Sequence, residues 1–119
     1  MYFVKEKDII INGKKYTFDY PIQSVIEKNN HYYALTKIPA AFQDKVYNNI
    51  YCLDDKGNLV WQSQNLDELS YPNDGHLQSE AYVGMVPKES FLRGITFHSH
   101  TYEIDYDTGK TKFVYVGRW

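Results

Sequence analysis

Hydrophobic and polar residues alternate along most of the chain with a period of two, not the 3.6 of an amphipathic helix. No window keeps an apolar stripe at helical spacing over three turns without β-branched or turn residues interrupting it. Between the turn signals, the runs are rich in Ile, Val, Tyr and Phe, which favour strands. We therefore predict a mainly β protein with eight to ten strands and little helix.

Turn residues divide the first half of the chain into hairpins. Asn12-Gly13 lies between Ile9–Ile11 and Lys14–Phe18 and fits a type I′ turn, in which both central residues need positive φ. Lys28–Asn30 separates a second pair of predicted strands, and Asp54–Gly57 separates a third. Each turn predicts an antiparallel pair.

An internal repeat links the two halves of the chain. Asn49–Trp61 and His100–Val114 share the order polar, any, Tyr, any, aliphatic, Asp, followed by Gly and a returning apolar run. Another predicted strand pair precedes each of them, so we expect two four-stranded antiparallel meanders, near 22–63 and 81–117. The segment 64–79 that joins them holds Pro72 and few apolar residues. Loops of that length are uncommon in compact domains and often functional.

Composition restricts the class of protein. A chain of 119 residues with 43% hydrophobic residues fits one folded domain with one core. No apolar run approaches the roughly 20 residues of a membrane span, and the first residues lack the apolar stretch of a signal peptide. The single cysteine, Cys52, excludes an internal disulfide and a Cys-rich zinc module. We expect a cytoplasmic protein with no membrane partner.

The net charge argues against proteins that bind nucleic acid or anionic lipid. The formal net charge is −2, from 13 basic and 15 acidic residues. This balance gives no electrostatic basis for binding nucleic acid or anionic lipid. We expect neither partner.

The repeat also carries a resemblance to a known architecture. Ile50–Trp61 (IYCLDDKGNLVW) resembles the outer hairpin of a quinoprotein-like or WD-type β-propeller blade, and Tyr102–Lys110 (YEIDYDTGK) resembles it again. The resemblance implies a scaffold for surface binding and no quinone cofactor. Closed propellers use four or more blades, whereas this chain holds two blade-like halves. The halves either assemble with other copies or pack on one another as a sandwich or half-barrel. We favour packing, because it buries both inner faces within one chain.

Two histidines form the clearest candidate for metal binding. His98 and His100 are two positions apart and would share one face of a strand, so both imidazoles could hold one divalent ion. The alternative is that they flank a turn on a wet surface. No phosphate loop, dinucleotide fingerprint or HExxH motif is present. Cys52 lies inside an apolar run and is predicted to face the core. No cofactor is expected, and the missing motifs favour a non-catalytic protein over an enzyme.

Acidic and aromatic residues mark the joining segment as a candidate partner-binding site. The residues in question are Asp67, Glu68, Tyr71, Asp74 and His76. Acids around an aromatic anchor suit a basic protein surface, because the charges steer association and the ring is buried on contact.

Three functional hypotheses follow from these features. The first is a small non-catalytic protein-binding module, whose profile is similar to small bacterial immunity proteins and inhibitors. The second is a metal- or carbohydrate-binding protein or hydrolase that uses His98 and His100. The third is a self-assembling, propeller-like subunit whose two blade-like halves join a larger ring. Separately, Tyr2–Val4 and Gly117–Trp119 could supply edge strands that pair with another chain.

Overall fold

Antiparallel strands account for the regular structure of the chain. The computed structural model describes residues 1–42, 48–66, 80–97 and 99–116. In chain order the strands are β1 (Tyr2–Lys5), β2 (Asp8–Ile11), β3 (Lys14–Thr17), β4 (Ile22–Lys28), β5 (His31–Thr36), β6 (Ile50–Asp54), β7 (Leu59–Gln62), β8 (Tyr82–Pro87), β9 (Leu92–Thr96), β10 (His100–Ile104) and β11 (Thr111–Val116). One 3-10 turn covers Ala40–Phe42. Among the described residues no helix is long and apolar enough to cross a membrane. The mainly β prediction is confirmed.

The strands form three sheets. The first sheet has the order β1-β2-β3, the central sheet β4-β5-β6-β7 and the third sheet β8-β9-β10-β11. The central and third sheets are the two predicted meanders. The described strands number eleven, above the predicted eight to ten, because Tyr2–Lys5 forms a strand of its own. It pairs with β2 inside this chain, with Phe3 opposite Ile10.

Asparagine and glycine shape two of the hairpins with two-residue loops. Asn12 and Gly13 have φ of 48° and 89°, and Asn29 and Asn30 have φ of 54° and 60°. Positive φ at both central positions is the signature of a type I′ turn, whose twist matches that of the flanking strands. The predicted positions of both turns are confirmed.

The repeat is preserved in the hydrogen bonds of the two aspartate turns. Asp54 Oδ1 accepts the backbone N–H groups two and four positions later, both at 2.9 Å. Asp105 Oδ1 accepts the backbone N–H groups two and three positions later, at 2.8 and 3.2 Å. Gly57 and Gly109 follow with φ of 79° and 76°. The bonds to Asp54, led by the one from the Asn58 N–H, lower the pKa of its carboxyl.

The two inner strands of the central sheet, β5 and β6, are buried on both faces. One face packs on the third sheet and the other on the first. The first contact joins Tyr33, Leu35, Ile50, Cys52 and Trp61 to Tyr82, Leu92, Tyr102 and Ile104. The second joins Tyr32, Ala34 and Leu53 to Ile9, Ile11 and Phe18. The predicted packing of the two meanders on one another is confirmed, and the first sheet adds a third layer.

The repeated sheets are stacked head to tail. Tyr51 and Leu53 of the central sheet pack toward the first sheet. Tyr102 and Ile104, which hold the same places in the repeat, pack toward the central sheet. Equivalent faces therefore point in the same direction along the stack. Packing about a two-fold axis would turn them toward each other.

Two buried polar side chains help to fasten the central sheet to the third. Asn49, fully buried, donates from Nδ2 to the carbonyls of Thr36 and Tyr82 at 2.7 and 2.9 Å and accepts the Tyr82 N–H at 2.8 Å. On the edge strand β7, Trp61 Nε1 donates to the Tyr106 carbonyl at 2.9 Å. These bonds satisfy buried polar groups and fix the relative position of the two layers.

We expect Gly109→Ala to destabilise the fold more than Gly13→Ala. A Cβ on Gly109 would lie 2.7 Å from the Trp61 ring, whereas one on Gly13 meets nothing within 4 Å. Both glycines have positive φ, so each variant costs about 1–2 kcal/mol of backbone strain. Overpacking against Trp61 adds roughly 1–3 kcal/mol to Gly109→Ala alone. Urea unfolding measures both, and equal losses would contradict the described contact.

Candidate functional site

Most of the predicted site residues lie outside the described parts of the chain. This holds for the whole predicted partner-binding set, Asp67, Glu68, Tyr71, Asp74 and His76, and for the first predicted metal ligand, His98. His100, the second predicted ligand, is described and lies at the start of β10.

Both ends of the acidic segment, residues 67–79, are anchored on the third sheet. At its start, Gln64 donates its N–H to the Gly109 carbonyl and accepts the Thr111 N–H on Oε1, each at 3.0 Å. Leu66 follows with no exposed surface and belongs to the core between the central and third sheets. At the far end, Glu80 is only 5% exposed. The segment therefore begins and ends on buried residues of a fixed scaffold.

Glu80 is held in place by His100. Glu80 Oε1 lies 3.2 Å from His100 Nδ1, and both side chains are about nine-tenths or more buried. The contact has the distance of an ion pair but not the geometry of a hydrogen bond. The main chain of His100 is fixed as well, because its N–H donates to Thr96 Oγ1 at 3.1 Å. Burying a carboxylate needs such a partner, because a lone buried charge is costly.

The His100–Glu80 pair has the residue types of the imidazole and carboxylate of a catalytic triad, but the contact lacks the hydrogen bond by which a triad carboxylate orients the ring. A divalent metal would need further ligands, and the described ranges contain no group of three His, Cys, Asp or Glu side chains placed to hold one. Within these ranges the pair anchors the end of the acidic segment. His100 does flank the turn between β9 and β10, as the alternative predicts, but the expected wet surface is wrong because its side chain is buried.

Cys52 faces the core, as its apolar neighbours predict. It is fully buried between the central and third sheets. Burial raises the pKa of the Cys52 thiol to about 12. A thiol needs its thiolate form to act as a nucleophile or a metal ligand, so Cys52 serves the packing.

Charged residues cross the outer face of the third sheet. In register across three strands, Glu103 lies opposite Arg93 on one side and Lys112 on the other. This row of positive, negative and positive charge is a favourable cross-strand arrangement. Arg93 Nε is buried and has no hydrogen-bond partner among the described residues. Its guanidinium lies 5.9 Å from the centre of the Phe91 ring.

The same row in the central sheet is apolar. There Cys52 lies opposite Tyr33 and Trp61, and all three are buried against the third sheet. The third sheet has no further layer of described strands on its outer side. Its charges therefore suit a face that ends the stack, as polar outer faces end repeat arrays.

A shallow groove opens beside the charged row. Its volume is about 380 Å³. It is lined by Ser90, Phe91, Glu103, Asp105, Lys110, Thr111 and Lys112. This groove is not among the sequence predictions, although the repeat, aligned at positions 33 and 93, 52 and 103, and 61 and 112, shows where charged residues replace the apolar row.

Comparison with known families gives one match. A family model described as a domain of unknown function, DUF7957, covers residues 1–114. The chain belongs to the DUF7957 family. No curated protein and no solved structure matches it.

The DUF7957 match spans the structural unit described above. It includes the first sheet, the central sheet and the third sheet up to β11, together with the acidic segment and both of its anchors. The family description assigns no function, so the function is argued from the residues of this chain.

We expect Glu80→Ala to destabilise the protein and Glu89→Ala to leave it almost unchanged. Glu80 is buried against His100, whereas Glu89 is exposed. Removing the carboxylate leaves a buried imidazole without its charged neighbour, at a cost of about 1–3 kcal/mol. Thermal or urea unfolding measures the difference. Two variants as stable as the parent protein would show that the pair holds nothing in place.

Cys52 should be inert to a thiol reagent in the folded protein. At pH 8, a thiol with a pKa near 12 carries a very small thiolate fraction, and burial also blocks access. We expect reaction with a disulfide reagent to be on the order of 100-fold or more slower than in denaturant. Fast labelling of the native protein would contradict the burial of this strand face.

Proposed function

We propose that this protein is a non-catalytic protein-binding module that captures a basic surface of a partner through the acidic segment. The observation that carries the proposal is the anchoring of both ends of the segment on buried residues, Leu66 and Glu80. Segments held at both ends by a rigid β scaffold are common binding sites. The scaffold is already ordered, so it loses little conformational entropy on binding.

The charges of the acidic segment indicate that its partner has a basic surface. Asp67, Glu68 and Asp74 are three acids within eight residues, and Tyr71 lies among them as an aromatic anchor. Acidic groups around such an anchor speed diffusional encounter with a basic patch, and burial of the ring slows dissociation. An inhibitor or immunity protein of a cytoplasmic toxin with a basic cleft is the sharpest form of this function.

Reactive groups in the described chain support binding over catalysis. The carboxylates of Asp54 and Asp105 close turns, and Cys52 is packed in the core with a raised pKa. His100 engages Glu80 at the anchor. Each of these groups has a structural task that accounts for its position.

A self-assembling, propeller-like subunit is the second candidate. The head-to-tail stacking of equivalent sheet faces favours it, because such stacking can continue from one copy to the next. The outer face of the third sheet weighs against it, since Arg93, Glu103 and Lys112 occupy the row that is apolar in the central sheet. We therefore propose that the stack ends inside one chain.

The proposal is tested by capture followed by kinetics. Immobilised protein is passed through lysate of its source organism, and a retained stoichiometric partner is purified for rate measurements. We expect the triple variant Asp67→Lys, Glu68→Lys, Asp74→Lys to slow association by about 10-fold or more at low salt, because steering acts mainly on the association rate.

A matched control separates local from general charge effects. The triple control Asp55→Lys, Glu89→Lys, Asp107→Lys also replaces three exposed acids, but on turns of the described scaffold. We expect this control to change the rate far less than the triple variant. Equal effects, or an unchanged rate in the triple variant, would reject the acidic segment as the binding surface.

A further inference from the structure

A second groove opens between the first and central sheets, along one side of the stack. The strands that border it, β3 and β7, are edge strands of these two sheets. The groove has a volume of about 180 Å³. It is lined by Tyr16, Thr17, Phe18, Asp19, Tyr51, Leu59 and Gln62.

The apolar part of this groove is built from aromatic rings. Tyr16 and Phe18 are two positions apart, so they share the face of the first sheet that packs on the central sheet. The Phe18 ring centre lies 4.9 Å from that of Tyr16 and 4.7 Å from that of Tyr51. Phe18 is buried, whereas Tyr16 and Tyr51 are half-buried. Two of the three rings are therefore open to a ligand in the groove.

The polar part of the groove presents hydrogen-bond acceptors. Gln62 Nε2 donates to the Asn48 carbonyl at 3.1 Å and to the Tyr51 hydroxyl oxygen at 3.3 Å. The donor end of this amide is engaged in these bonds, which leaves Oε1 as its acceptor. Asp19 is exposed and adds a carboxylate. A ligand that donates several hydrogen bonds matches these groups.

The charge around the groove is negative. Burial raises the pKa of the Tyr51 hydroxyl, and the neighbouring Asp19 carboxylate raises that pKa further. Lys14 Nζ donates to Asn58 Oδ1 in the β6–β7 turn, and Lys15 alternates to the outer face of the first sheet. The described residues that line the groove include no base. A cation is therefore the favoured ligand.

The size of the groove suits a single side chain. Pockets for small organic ligands enclose about 300–1,000 Å³, and the volume here is about 180 Å³. The groove on the third sheet, at about 380 Å³, falls within that range, but Lys110 and Lys112 line it together with two acids. A cation would meet like charge there.

We propose that the groove between β3 and β7 binds an arginine side chain of a protein partner. The guanidinium stacks on the open tyrosine rings and donates to the Asp19 carboxylate and to Gln62 Oε1. Arginine fits better than lysine, because its guanidinium is planar, stacks on aromatic rings and carries five N–H donors.

This arginine site is separate from the acidic segment. Gln64, the anchor at the start of that segment, follows Gln62 by two positions but bonds to the third sheet. The groove lies on the opposite side of β7, toward the first sheet. The arginine site therefore goes beyond the proposed function and does not depend on it.

Titration of the full chain with Nα-acetylarginine amide, followed in heteronuclear NMR spectra, tests the site. At low salt we expect saturable shifts of the backbone amides of Phe18, Asp19 and Gln62, with a Kd of about 1–10 mM. Nα-acetylcitrulline amide has nearly the same shape without the charge and should not saturate. Nα-acetyllysine amide should bind several-fold more weakly than the arginine probe.

Two variants with matched controls locate the contact. Asp19→Asn keeps the shape of the side chain and should weaken arginine binding about 5-fold at low salt. Asp107→Asn, an equal change at an exposed acid of the β10–β11 turn, should leave it unchanged. Tyr16→Leu should weaken binding about 3-fold. Tyr2→Leu, which removes a half-buried ring at the other edge of the first sheet, should not.

The proposal would be overturned by any of four results. Shifts that do not saturate below about 50 mM would show no site, and equal binding of the citrulline probe would show that charge plays no part. Equal binding of the lysine probe would exclude selection of a guanidinium. Unchanged affinity in both Asp19→Asn and Tyr16→Leu, with circular dichroism confirming the fold, would place the contact elsewhere. The triple variant of the acidic segment should still bind the arginine probe, so the two proposals fail separately.

Discussion

Burial of both faces of β5 and β6, the inner strands of the central sheet, is the constraint on which the remaining structure depends. Strand β5 shows it most clearly, because five consecutive residues from Tyr32 to Thr36 are buried. Alternate side chains go to opposite sides, Tyr33 and Leu35 to the third sheet and Tyr32 and Ala34 to the first. A sheet that is apolar on both faces needs a layer on each side, so neither outer sheet is dispensable for the core.

Head-to-tail stacking follows from where the repeat places its apolar residues. The central sheet uses the Tyr51 face toward the first sheet and the Cys52 face toward the third. The third sheet keeps the first of these faces, through Tyr102, and replaces the second with the charged row around Glu103. The polar contact made just before or at the start of the second-to-last strand also differs between the two sheets. Asn49 reaches the next sheet, whereas His100, at the same place in the repeat, contacts Glu80.

Local features of this fold were predictable from the sequence. Asn12-Gly13 and Asn29-Asn30 predict turns because few other residues adopt positive φ at low cost. The two meanders were predictable because each turn fixes the pairing of its neighbours. The stacking direction was not, since alternation shows which residues share a face but not which layer covers it. The contact of His100 with Glu80 was also beyond the sequence, because 20 positions separate them and the packing of the third sheet brings them together.

Aromatic contacts measured by nuclear Overhauser effects in solution test the stacking most directly. Tyr51 lies with its ring centre 4.7 Å from that of Phe18 in the first sheet, and Tyr102 packs in the core between the central and third sheets. Head-to-tail stacking predicts cross-peaks between the Tyr51 and Phe18 rings, and between Tyr102 and core residues of the central sheet. Cross-peaks that join the Tyr51 and Tyr102 rings would show equivalent faces turned toward each other and would contradict head-to-tail stacking.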